Sequence, residues 1–222
     1  MDPSNWRAYL VTQASLSADR STLEIVRAAI DGGVDVVQLR EKETSARSRY
    51  ELGLELRELT ADAGVDLIVN DRVDIAEAIG ADGVHVGQSD LPVTVARELL
   101  GPDAVVGCSA STVEEAVRAE ADGADYLGVG SVYGTTSKDV PTQEDRIGPE
   151  RIADVVDAVS IPVVGIGGIT ADNAGPVVEA GAAGVAVISE ITAADDPAAA
   201  TADLVRTVET AKALENGEAT ER

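Results

Sequence analysis

Eight short runs rich in Val, Ile and Leu alternate along the chain with longer segments whose apolar residues recur at helical spacing. Runs of this kind are typical of strands that are buried on both faces. The pattern predicts strands at 8–12, 35–40, 66–70, 83–87, 104–108, 125–130, 161–166 and 184–188, and helices at 21–31, 45–63, 72–79, 92–100, 112–121, 149–159, 171–180 and 197–213. Such alternation indicates an α/β protein with a parallel sheet and right-handed crossovers.

Eight strand–helix units favour a closed sheet. The length of 222 residues suits a single (β/α)8 TIM barrel. We therefore expect one catalytic domain over residues 1–213, followed by a polar C-terminal tail at 214–222. A doubly wound open sheet is the alternative fold that this alternation allows.

Hydroxyl residues mark the predicted starts of four helices. Ser21, Thr44, Ser111 and Thr170 each precede a helical segment and are predicted N-caps. Glu114 follows Ser111 by three residues, which predicts a capping box at that helix.

The net charge of −23 excludes several classes of partner. Nucleic acid and an anionic membrane surface would both be repelled. No apolar run approaches the roughly 18 residues of a membrane span, and the first residues lack the apolar region of a signal peptide. Cys108 is the only cysteine, so no intrachain disulfide can form. These features predict a cytoplasmic protein with an acidic surface.

The same charge predicts a halophilic protein, because salt screens self-repulsion over a Debye length of about 10 Å at 0.1 M and about 3 Å at 1 M. We expect the thermal unfolding midpoint to rise steadily in a KCl series. A midpoint that is highest in low salt would contradict this expectation.

In barrels of this type the site lies at the carboxyl ends of the strands. The second strand ends in Gln38-Leu39-Arg40-Glu41-Lys42, where alternation puts Gln38, Arg40 and Lys42 on one side. A guanidinium and an ammonium group so close together suit a diphosphate. The alternative is a solvated strand end in which Glu41 pairs with these cations.

The third and fourth strands end in carboxylates. Asp71 follows Asn70, and Asp90 closes the run that begins at His85. Two carboxylates on neighbouring strand ends, with water and phosphate oxygens completing the shell, would suit Mg²⁺. Helix capping by each aspartate is the competing interpretation. His85 is either a general base or, more ordinarily, a hydrogen-bonded strand residue.

Ser109 follows the fifth strand and could donate a hydrogen bond to a phosphate, whereas the preceding Cys108 is expected in the core. After the sixth strand, Thr135, Thr136, Ser137 and Lys138 form a polar run suited to an anion, within a segment 131–148 that could act as a lid. Gly168 after the seventh strand and Ser189 after the eighth fit a phosphate bound by backbone N–H groups. Glycines that serve only as turn residues are the alternative.

The ordered set of these motifs resembles the thiamine phosphate synthase family. The resemblance spans nearly the whole chain, and its strength lies in the order of the motifs rather than in any single one. It is carried by 37–42 (VQLREK), 70–71 (ND), 84–90 (VHVGQSD), 107–109 (GCS), 135–138 (TTSK), 165–169 (GIGGI) and 187–189 (VIS).

The resemblance implies condensation of hydroxymethylpyrimidine diphosphate with hydroxyethylthiazole phosphate, giving thiamine phosphate and pyrophosphate. It implies that Arg40, Lys42, Lys138 and Ser109 are catalytic and that Asp71 and Asp90 hold Mg²⁺. It further implies two binding sets. Gln38, Leu39, Arg40, Glu41, Lys42, Asn70, Ser109 and Lys138 would hold the pyrimidine diphosphate, and Thr135, Thr136, Ser137, Gly168, Ile188 and Ser189 the thiazole phosphate.

The chain departs from the family's lid pattern, because Ser131 and Gly134 stand where prolines are common and Ser137 stands where threonine is common. The expected partners are two small phosphorylated substrates, and a homo-oligomer is compatible with the sequence. The competing functions are a thiazole tautomerase-like isomerase, a non-catalytic phosphate-binding barrel and another phosphosugar-processing barrel. The tautomerase would not need Arg40, Lys42, Asp71 and Asp90 together, and the non-catalytic barrel should bind ligands without turnover.

Overall fold

The computed structural model describes residues 2–134 and 146–220, with side chains up to residue 214. Its strands are β1 Ala8–Val11, β2 Val36–Leu39, β3 Asp66–Asn70, β4 Gly83–Val86, β5 Val105–Ala110, β6 Tyr126–Gly130, β7 Val163–Ile166 and β8 Gly184–Val187. Its helices are α1 Thr22–Asp31, α2 Ala46–Ala63, α3 Val73–Ile79, α4 Val93–Leu100, α5 Val113–Ala121, α6 Gly148–Val156, α7 Gly175–Glu179, α8 Ser189–Thr192 and α9 Pro197–Thr220.

The eight strands form one closed parallel barrel in chain order. Its seam lies between the first and last strands, where Leu10 is in register with Val187, while Leu10 also pairs with Val37 of β2. The (β/α)8 barrel is therefore confirmed, and the open doubly wound sheet is wrong. Because all strands are parallel, their carboxyl ends lie at one mouth of the barrel.

Strand alternation divides the buried side chains into two layers. Leu10, Leu39 and Leu127 belong to the outer layer, which packs between the sheet and the helices. Tyr9, Tyr126 and their neighbours belong to the inner layer that fills the barrel, together with Trp6, Val11, Val36, Ile68, Val105, Val164 and Ala186. The interior is thus a packed core that carries aromatic rings, and it forms the floor beneath the mouth.

The helix starts only partly follow the sequence predictions. Ser21 caps α1, as predicted. It also forms a capping box with Glu24. The predicted caps Thr44 and Ser111 are wrong, because the next hydroxyl residue makes the bond in each case: Ser45 caps α2, and Thr112 caps α5 in a capping box with Glu115 instead of Glu114.

Thr170 is also not a helix cap. Helix α7 begins at Gly175, and the backbone N–H of Thr170 donates instead to Oδ1 of Asn173 at 2.8 Å. The single-turn helix α8 was not predicted. Helix α9 continues past residue 213, and the predicted boundary between a domain at 1–213 and a tail at 214–222 stays a prediction. Among the described helices, none combines the length and apolar character needed to cross a membrane.

Candidate active site

The end of β2 divides its side chains between two sides, as alternation predicted. Gln38 is buried and donates from Nε2 to the hydroxyl of Tyr9 at 2.6 Å. The guanidinium of Arg40 donates to Oε1 of Gln13 at 2.6 Å, and its backbone N–H donates to Thr12 Oγ1 at 3.1 Å. Gln13 therefore holds Arg40 at the mouth, a contact that the sequence did not reveal.

Leu39 and Glu41 point the other way. Leu39 is fully buried in the outer layer. Both carboxylate oxygens of Glu41 accept hydrogen bonds, one from the backbone N–H of Ala14 and one from the hydroxyl of Thr22, each at 2.9 Å. Their predicted place in the pyrimidine diphosphate set stays a prediction, and these contacts favour a structural role for both side chains.

Asp71 and Asp90 lie together at the ends of β3 and β4. Burial raises the pKa of Asp71, and the nearby charge of Asp90 and a hydrogen bond with its side chain raise it further. Lys42 and Arg40 lie near enough to oppose that rise in pKa. Two carboxylates in hydrogen-bond contact beside two cations form a charged cluster of the kind that alternation and strand order predicted.

Neither aspartate is a helix N-cap, since Arg72 and Pro92 occupy those positions for α3 and α4. Asp90 Oδ2 accepts the backbone N–H of Gly87 at 2.8 Å, which fixes one of its oxygens. Asp71 has a φ of 62° and donates its backbone N–H to the carbonyl of His85 at 2.8 Å. Asn70, at the end of β3, is half-buried beside His85 in the strand register.

Five polar side chains form a continuous hydrogen-bonded chain beneath the mouth, which we call the interior polar chain. It runs from Gln38 to Tyr9, then to Tyr126 at 2.9 Å, to His85 Nδ1 at 2.9 Å, and from His85 Nε2 to Ser109 Oγ at 2.9 Å. The sequence predictions included the two terminal residues of this chain, Gln38 and Ser109, but missed both tyrosines. His85 is hydrogen-bonded in place within the strand, in agreement with the more ordinary of its two interpretations.

The turn after β7 is shaped by close backbone approaches. Gly168 has a φ of 67°, and a Cβ there would lie 2.2 Å from the carbonyl oxygen of Gly134. Asn173 stabilises the turn by donating to the Gly168 carbonyl at 3.1 Å. The Ser131 hydroxyl lies against Gly167 and is buried without a hydrogen-bond partner among the described residues. Backbone N–H groups in a glycine turn of this kind suit an anion, which is the role that the sequence predicted for Gly168 and which stays a prediction.

Ile188 and Ser189 follow β8 at the same mouth, where Ser189 begins α8. The first N–H groups of a helix have no partner within it, and the loops after the seventh and eighth strands often bind phosphate in this fold. Thr135, Thr136, Ser137 and Lys138 lie outside the described residues, as does most of the predicted lid at 131–148.

The lone thiol is buried beside this mouth, and burial raises the pKa of Cys108 to about 11. At pH 8 its thiolate fraction is then roughly 100-fold below that of an ordinary cysteine. We expect iodoacetamide to label the native protein at least that much more slowly than the urea-unfolded chain, as measured by mass spectrometry. Equal labelling rates would contradict the burial of this thiol.

The fold and the mouth define a class: a (β/α)8-barrel protein with a charged, carboxylate-bearing cluster on β2–β4 and a glycine turn after β7 across the barrel. The chain belongs to the thiamine monophosphate synthase family, whose model matches residues 8–191. The sequence-based recognition of that family is confirmed.

Named relatives agree. The chain is 65% identical over 201 residues to a thiamine-phosphate synthase of Natronomonas pharaonis, covering 90% of this chain and 94% of the relative. It is 62% identical over 208 residues to that of Haloquadratum walsbyi, covering 94% and 93%. A solved structure, thiamine phosphate pyrophosphorylase from Pyrococcus furiosus, superposes with a TM-score of 0.86 at 41% identity, covering 94% of this chain and 98% of that one.

Proposed function

We propose that this chain condenses hydroxymethylpyrimidine diphosphate with hydroxyethylthiazole phosphate, giving thiamine phosphate and pyrophosphate. The observation that carries the proposal is the cluster of Arg40, Lys42, Asp71 and Asp90 at one side of the barrel mouth of a member of this family. A diphosphate carries several negative charges that such a cluster can neutralise. A single phosphate bound at the turn after β7 would not require it.

The reaction explains why cations dominate. Pyrophosphate leaves a CH₂ group attached to an electron-rich aminopyrimidine ring, which stabilises the resulting carbocation. The thiazole nitrogen then forms the new C–N bond, and it is nucleophilic without a general base. Arg40 and Lys42, with Lys138, stabilise the negative charge that grows on the departing pyrophosphate. Correct placement of the second substrate contributes much of the remaining rate.

Asp71 and Asp90 fit a magnesium ion. Mg²⁺ typically takes one or two carboxylates from the protein and fills its other positions with water and phosphate oxygens. Burial raises the pKa of Asp71 most and the nearby charge of Asp90 raises it further, and a divalent cation at these carboxylates would offset both effects. When bound, the ion would neutralise charge on the diphosphate. In the described residues no group of three or more His, Cys, Asp or Glu side chains is suited to a metal.

The remaining predicted residues divide between the two substrates. Gln38, Asn70 and Ser109 lie on the β2–β5 side, where the pyrimidine would rest. Gly168, Ile188 and Ser189 would bind the thiazole phosphate on the β7–β8 side, together with Thr135, Thr136 and Ser137. Cytoplasmic location and a homo-oligomeric state stay predictions.

A tautomerase-like isomerase is the second candidate, because a relative that only rearranges a thiazole phosphate would use the same glycine turn. The cluster on β2–β4 argues against it, since such an isomerase has no diphosphate to bind. A non-catalytic phosphate-binding barrel differs in that it would bind both ligands without turnover.

Lys138→Ala is expected to lower the chemical rate by about 100-fold, because the ammonium charge matters most as pyrophosphate departs. Single-turnover measurements at saturating substrate would check this. Lys212→Ala, in helix α9, supplies a control with the same change of charge. A variant that only loses substrate affinity, with an unchanged rate at saturation, would contradict the role.

The direct test is an assay that follows pyrophosphate and thiamine phosphate together. Both should appear in equal amounts only when both substrates and Mg²⁺ are present. Each substrate alone, and the complete mixture with EDTA, are the controls. Isomerisation of the thiazole phosphate without the pyrimidine would favour the tautomerase, and binding without turnover would favour the non-catalytic barrel.

A further inference from the structure

The interior polar chain links two groups that the proposed function places against the pyrimidine diphosphate, Gln38 and Ser109. Its members come from β2, β1, β6, β4 and β5, so it crosses the whole interior of the barrel. All four links are 2.6–2.9 Å long. Distances in this range are those of well-formed hydrogen bonds.

One direction satisfies every hydrogen bond of this chain when the amide of Gln38 is oriented as in this structure. The amide nitrogen of Gln38 then donates to the hydroxyl of Tyr9, and among the described residues Tyr126 is the acceptor left for the Tyr9 proton. Tyr126 in turn uses its proton toward Nδ1 of His85. Nε2 therefore carries the imidazole proton and donates it to Ser109 Oγ.

The consequence falls on Ser109. Because its oxygen already accepts a bond from His85, its own hydroxyl proton is available to a ligand. At the other end, use of the Gln38 nitrogen leaves the amide oxygen as an acceptor. An aminopyrimidine offers an amine that donates and ring nitrogens that accept, which matches one acceptor and one donor.

Reversing the amide of Gln38 would reverse every bond. Ser109 would then donate to His85, which would carry its proton on Nδ1, and Ser109 could only accept from a ligand. The position of the imidazole proton therefore reports the direction of the whole chain.

The barrel is shaped around these rings. A Cβ at position 107 would lie 2.2 Å from the ring of Tyr126, and one at position 128 would lie 2.8 Å from Cε1 of His85. Trp6 packs edge-on against Tyr126 with ring centroids 4.9 Å apart. Burial also raises the pKa of both tyrosines, which keeps their protons in place. The rings therefore have little freedom to break the chain.

We propose that Tyr9, Tyr126 and His85 are positioning residues, whose one-directional hydrogen bonds hold Ser109 as a donor to the pyrimidine diphosphate. The identity of that ligand rests on the proposed function, whereas the direction of the hydrogen bonds is independent of it.

His85 is the only histidine, so a ¹⁵N-histidine-labelled protein gives one imidazole to observe. We expect long-range ¹H–¹⁵N spectra at neutral pH to show a neutral ring with its proton on Nε2. A proton on Nδ1, or on both nitrogens, would overturn the proposed direction.

Two matched variants test the links. Tyr126→Phe removes the donor to Nδ1 and should mix the two tautomers of His85. Tyr9→Phe removes the link between Gln38 and Tyr126, so it should release the direction of the chain and mix the tautomers as well. A ring that keeps its proton on Nε2 in Tyr9→Phe would overturn Gln38 as the origin of that direction.

Kinetics test the positioning role. Tyr126→Phe should lower kcat/KM for the pyrimidine diphosphate by about tenfold, the contribution of one hydrogen bond, while KM for the thiazole phosphate is unchanged. A changed tautomer with unchanged kinetics would overturn the role of the chain in positioning. Absence of turnover in the wild-type protein would instead reject the proposed function, and the tautomer measurement would still decide the direction of the chain.

Discussion

Asp71→Asn is expected to abolish Mg²⁺-dependent condensation while the barrel remains folded. If Asp71 and Asp90 hold Mg²⁺ as proposed, removing one of the two carboxylates should cost several kcal/mol of transition-state stabilisation, or roughly 10³-fold in rate. Asparagine is the suitable replacement because it tolerates the left-handed conformation of residue 71, whose φ is 62°. The measurement is the rate of pyrophosphate release across a Mg²⁺ series.

The same substitution should raise stability. The folded-state pKa of Asp71 lies above its ordinary value, so its ionised form destabilises the fold at pH values above that folded pKa. Asparagine removes this penalty, and the unfolding midpoint in EDTA at neutral pH should equal or exceed that of the wild type. A lower midpoint would mean that Asp71 contributes to the fold.

Asp74→Asn is the matched control. Asp74 lies only three residues away and pairs with Arg72 on the surface, where such a pair contributes little. The change of charge is identical, and the rate should be unaffected. Equal losses in the two variants, or wild-type rates for Asp71→Asn in EDTA, would reject the metal role.

Gly107→Ala is expected to destabilise the barrel severely. The added methyl group would lie 2.2 Å from the ring of Tyr126, which is fully buried and hydrogen-bonded to Tyr9 and His85. Because the ring cannot move aside, the cost should reach about 3 kcal/mol. The thermal midpoint would then fall by roughly 6–12 °C.

Gly175→Ala supplies the comparison for this second experiment. Gly175 is the first residue of α7, and a Cβ there would meet only Glu179 Oε1, at 3.9 Å. Its unfolding midpoint should change little or rise slightly, because alanine restricts the unfolded chain. Similar midpoints for the two variants would show that the Tyr126 ring yields, contrary to the packing described above.

The barrel was predictable because its signal is local and repeated. Each strand reads as a short β-branched run, and strand order follows from chain order. The exact helix caps were not predictable from the sequence, because Thr44 and Ser45, like Ser111 and Thr112, are adjacent hydroxyl residues with the same capping chemistry. Only the way each helix packs decides which of the two makes the bond.

The site residues that follow from side-chain alternation along a strand were predictable. Those that depend on whether a side chain faces the inside or the outside of the barrel were not. Gln38, Arg40 and Lys42 follow from period two, and so do the opposite orientations of Leu39 and Glu41. Tyr9 and Tyr126 were missed because both faces of these strands are buried, so apolarity cannot separate the inner layer from the outer. Glycine at positions 107 and 128 was the available signal, since a strand glycine often marks a close neighbour.

The seam between β1 and β8 has a consequence for biosynthesis. Strand β1 leaves the ribosome first, yet its partner on one side is the last strand to be made. Tyr9 likewise awaits Tyr126, more than a hundred residues later. A nascent chain cannot close the barrel mouth until β8 has been made, so ribosome-bound intermediates that lack β8 should gain no protection from proteolysis by ligands that protect the finished barrel.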